Sequence, residues 1–72
     1  MKAELILLYR HVVAGEVTSA EEFRRRLEAI ETLQPGTQLR VGLAMRAFSA
    51  LEREAPSRHH QLELLQDAFG IA

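Results

Sequence analysis

"LILLYRHVV", residues 5–13, decides the fold, because a short apolar run suits a strand as readily as a helix when periodicity alone is consulted. Length separates the two. The run belongs to a longer segment, roughly residues 3–14, that ends at Gly15, and such a length favours a helix. At about 100° per residue, Leu5, Ile6, Leu8, Tyr9, Val12 and Val13 gather on one broad face. Leu7 falls on the opposite face, between Arg10 and His11. The expectation is an amphipathic helix with one leucine left over.

Working outward, the breakers Gly15, Pro35–Gly36 and Pro56 cut the chain into four segments, each more natural as helix than strand. Segment two carries the clearest start signal. Thr18-x-x-Glu21 and Ser19-x-x-Glu22 both fit a capping box, so the start is marked with its register open by one residue. Ala20, Phe23, Leu27, Ile30 and Leu33 then form a single stripe. Gly36 in "QPGT" can take a positive φ, and Thr37 is a candidate N-cap for the next helix. Segment three, about 38–54, is apolar around most of its circumference, which places it centrally. Pro56 disfavours helix at Ala55, Ser57 can cap segment four, and Leu62, Leu64, Leu65, Ala68 and Phe69 share one side, with Gly70 just past the end.

Four short helices with brief connections predict an all-α domain spanning residues 1–72, a small bundle. A chain of 72 residues buries only about 60% of the surface its unfolded form exposes. Its core then supplies roughly 3–5 kcal/mol, and small scaffolds commonly add a staple. There is no cysteine, so a disulfide or thiolate zinc staple is excluded. Segments one and three carry more apolar surface than small neighbours would cover. A homodimer is therefore expected, with Leu5, Leu7, Leu8 and Val12 as its interface.

The composition is that of a globular domain, 47% hydrophobic and 26% charged, with net charge −1. No overall field draws it to nucleic acid or anionic lipid. Glu4 and Arg10 interrupt the apolar N-terminal run, and no small-residue cleavage site follows, so a signal peptide is not expected. No apolar stretch approaches the ~20 residues of a membrane span. The expected location is the cytoplasm, and the arginine bias among the basic residues fits a bacterial or phage origin.

Three consecutive arginines, Arg24–Arg25–Arg26, invite a phosphate-binding reading. They spread over about 200° of helix and cannot form one patch. Acidic neighbours stand at helical spacing: Glu21 with Arg24 and Arg25, Glu22 with Arg26, Arg24 with Glu28. A solvated face explains Arg24 and Arg25. Arg26 flanks the apolar stripe and suits an interface rim.

The narrow polar strip of segment three holds Gly42, Arg46, Ser49 and Arg53. Small residues beside two arginines can admit a carboxylate, a phosphate or a closely packed helix. With Arg26, this strip is the expected docking site for another protein. Arg58, at the start of segment four where a cation opposes the helix dipole, is expected to turn toward Glu52 or Glu54. His59 and Glu63 at i,i+4 suggest a metal, yet two ligands make a weak site and a catalytic zinc needs three. No catalytic constellation, glycine-rich phosphate loop or cofactor motif occurs. The expected function is a non-enzymatic regulatory module that works through helix-mediated protein contacts. The alternative is a helix-turn-helix nucleic-acid binder, with "TQLRVGLAMRAF" (residues 37–48) as recognition helix. That helix is mostly apolar, and the pI is about 6.3 rather than basic.

Overall fold

A computed structural model describes residues 2–33, 39–53 and 58–71. Among them are four helices: α1 (Ala3–Val13), α2 (Ala20–Leu33), α3 (Val41–Glu52) and α4 (Arg58–Phe69). Residues 5–13 are helical, so length prevails over the strand alternative. The described residues contain no strand. The roles expected of Gly36, Thr37, Pro56 and Ser57 lie outside the described residues.

The helices form a closed ring in which α1 packs on α2 and α4, and α3 on α2 and α4. The Cα radius of gyration is 11.1 Å, close to the ~11 Å of a folded chain of this length. All three phenylalanines meet at the centre. Phe23 of α2 stacks on Phe48 of α3, with ring centroids 4.4 Å apart and planes 8° from parallel. Phe69 of α4 lies 6.2 Å from Phe23 on centroids. Leu5, Leu8 and Val12 of α1 join this core with Leu27, Ala44, Ala47 and Leu65.

Local chemistry sets the helix ends. The Glu22 N–H donates to Ser19 Oγ at 3.1 Å, which chooses Ser19 over Thr18 as the N-cap of α2. The second half of the box is missing, because the Glu22 carboxylate accepts from Arg26 instead. α3 starts at Val41, later than the expected 38, and its N-cap Arg40 makes no side-chain cap bond. The Arg40 N–H donates to the Ala68 carbonyl of α4 at 3.0 Å, which ties the start of α3 to the end of α4.

The C-termini of α1 and α4 are fully accounted for. A helix leaves its last four carbonyls without intrahelical partners. In α1, Ala14, Gly15 and Glu16 N–H groups donate to the Arg10, Val12 and His11 carbonyls. The fourth carbonyl, Val13, accepts from Arg58 at 3.2 Å. In α4, Gly70 and Ile71 donate to Asp67 and Gln66, and Arg40 to Ala68. Phe69 accepts from Lys2 Nζ at 3.0 Å. Both ends are Schellman motifs, with Gly15 at φ 76° and Gly70 at φ 69° supplying the left-handed residue. Lys2 before α1 thus holds the end of α4, while Arg58 opening α4 holds the end of α1. The two helices run antiparallel with a cation at each joint.

Candidate functional site

The outward side of α3 carries the expected strip. Gly42, Arg46 and Arg53 are exposed and Ser49 is half-buried, while Ala44, Ala47 and Phe48 face the core. Among the described residues, neither Arg46 nor Arg53 makes an ion pair or side-chain hydrogen bond. A Cβ added at Gly42 would meet nothing within 4 Å. The glycine is therefore not imposed by the chain's own packing. The strip offers two guanidinium groups over a lowered surface, suited to bidentate contact with carboxylates.

Arg26 does not join it. Its Nη1 lies 2.9 Å from His11 Nδ1, and its Nη2 donates to Glu22 Oε2 at 3.1 Å. Arginine only donates, so His11 accepts at Nδ1 and carries its proton on Nε2, the atom 3.8 Å from Glu16 Oε1. Arg26 is thus a bridge across the α1–α2 seam. The sequence placed it correctly at the flank of the apolar stripe but could not show which helix it would meet.

The four residues expected to face a second copy divide. Leu5, Leu8 and Val12 are buried inside the chain's own core, and only Leu7, 47% exposed, remains on the surface. The first three recur at helical spacing, and α2 and α4 close over them. Ile6 and Val13, expected on the buried face, are instead 40% and 44% exposed. They lie more than about 100° from the centre of the Leu5–Leu8–Val12 stripe at helical spacing, too far round for neighbours to cover. Leu7 lines a groove of about 270 Å³ between α1 and α2, whose other walls include Glu4, Ala29 and Ile30. Glu4 and Ala29 carry no signal in the sequence, since only the antiparallel pairing of α1 with α2 brings them together.

Arg58 departs from expectation as well. It lines a cleft with Glu52 at one end of the bundle, but its hydrogen bond goes to the Val13 carbonyl. That carbonyl is an orphan at the negative end of α1, a fixed acceptor where Glu52 is an exposed surface group. Glu54 lies outside the described residues. His59 and Glu63 do meet, Nε2 to Oε1 at 2.7 Å on an exposed turn of α4. No third histidine, cysteine or carboxylate joins them among the described residues. No helix among the described residues is long and apolar enough to cross a membrane. Comparison with known protein families, with characterised proteins and with solved structures returns no match.

Proposed function

We propose that this chain is a small, non-catalytic regulatory module of the cytoplasm that binds another protein through the outward face of α3. The observation that carries the reading is the pair Arg46 and Arg53, both exposed and unpaired among the described residues, on the same side as Gly42 and Ser49. Arg26, Arg58 and Lys2 hold groups of their own chain. Arg46 and Arg53 do no such internal work, and arginine of this kind is favoured at binding hot spots. The working unit in this reading is a homodimer built on α1, which leaves α3 facing outward.

The test is capture from the native host, followed by reconstitution with the purified partner. Arg46→Glu and Arg53→Glu should abolish binding while the unfolding midpoint holds. Binding that survives both reversals removes α3 as the site.

A further inference from the structure

We propose that the α1–α2 groove is where two copies of this chain pair, antiparallel, with Leu7 beside the two-fold axis and Glu4 of each copy facing Arg26 of the other. The inference rests on the homodimer reading above and adds its surface and register.

The groove's contents are ordered along its length. Because α1 and α2 are consecutive and antiparallel, the Arg26–His11 bridge spans one end. Leu7 and Leu8 face Ala29 and Ile30 in the middle, and Glu4 closes the other end. Glu4 and Arg26 are thus the acidic and the basic residue lining it; Glu16 and Glu22 do not line it. Glu4 has no ion pair among the described residues. Arg26 uses one N–H on His11 and one on Glu22, leaving three of its five donors.

An isologous interface sets one patch against itself. A two-fold axis lying in the interface and perpendicular to the groove reverses its direction while keeping groove over groove. Acid then meets base at both ends, and Leu7 of each copy enters the apolar middle of the other. Exposed Ala29 leaves space there. Leu7 cannot be covered from within, since the three residues that anchor α1 already point into the core.

The other exposed apolar pair does not pass this test. Ile6 shares a flank with Lys2 and Arg10, which line one cavity together with Tyr9 and Gln66. An antiparallel two-fold setting Ile6 of one copy against Val13 of the other would bring Arg10 of both copies side by side. Like charges oppose that arrangement.

Light scattering coupled to size exclusion should give twice the 8.1 kDa chain mass at micromolar concentration. Leu7→Asp, at an exposed position, should yield a monomer that keeps its helical circular dichroism and unfolds cooperatively, with a midpoint lowered only by the lost association. Glu4→Arg and Arg26→Glu should each raise the dimer dissociation constant about tenfold or more, and the double variant should recover most of that loss. A dimer indifferent to Leu7→Asp and Glu4→Arg, or a double variant with no recovery, refutes this surface and register but keeps the homodimer. A monomeric wild type refutes both.

Discussion

At the residue scale, two glycines isolate backbone conformation from packing. A Cβ at Gly15 or at Gly42 meets no atom within 4 Å, so space does not distinguish them. Gly15 sits at φ 76°, where an L side chain costs about 1–2 kcal/mol. Gly42 lies inside α3, where alanine is favoured by up to about 1 kcal/mol. Gly15→Ala should therefore lower the urea midpoint and Gly42→Ala raise it, two opposite shifts from one chemical change. Gly15 was legible in the sequence as a breaker after an apolar run. Its left-handed φ follows from the Schellman bonds that only the folded helix end supplies. Phe23 is the second decisive residue, fully buried and stacked on Phe48 and Phe69. Phe23→Ala should cost about 3–5 kcal/mol, as much as a core of this size supplies. Its circular dichroism should show an unfolded chain at room temperature without denaturant.

At the scale of the element, all four helices could be read from spacing and breakers because those signals are local. A stripe at i, i+3, i+4 and a Ser-x-x-Glu start are written in neighbouring residues, and Ser19 caps α2 as one of the two expected registers required. What could not be read are contacts between helices. Lys2 and Phe69 stand 67 positions apart, and Arg58 and Val13 stand 45 apart. Nothing local announces that α1 and α4 will exchange cations at their ends. The same distance in sequence hid the Arg58 partner and sent Arg26 to His11 instead of toward α3. These two cation bonds carry a prediction. Lys2→Met and Arg58→Met each remove a charged donor from the negative end of a helix, a contribution of about 0.3–1 kcal/mol at surface exposure. The losses should add, since the joints are at opposite ends of α1. Thermal unfolding at low salt should show both, and molar salt should shrink the differences, because screening weakens a dipole interaction but leaves apolar burial intact.

The whole molecule sets protein binding against nucleic-acid binding, since both use the arginines of α3. In a helix-turn-helix, the second helix enters the major groove while the first crosses the phosphate backbone. Here α3 would be the second and α2 the first, and the two do pack together. α2 carries Glu21, Glu22, Glu28 and Glu31 against Arg24, Arg25 and Arg26. Four carboxylates less three guanidiniums leave −1 on the element that would have to lie along phosphates. Arg26 is further committed to Glu22 and His11. Val41 and Leu43, in the first turn of α3, are half-buried, so the part of a recognition helix that reads bases is partly turned inward. Over the whole chain the net charge is −1, and no long-range attraction compensates for these local costs. A labelled duplex should accordingly show no anisotropy change with micromolar protein near physiological salt. If Arg46 and Arg53 did contact phosphates, affinity would fall with salt by about 0.9 log units per log unit for each phosphate neutralised. Binding with that slope, lost in an Arg46→Ala, Arg53→Ala double variant, would transfer the α3 face from a protein partner to nucleic acid. The homodimer surface proposed above would stand apart from that result, because it draws on α1 and α2 and uses neither arginine.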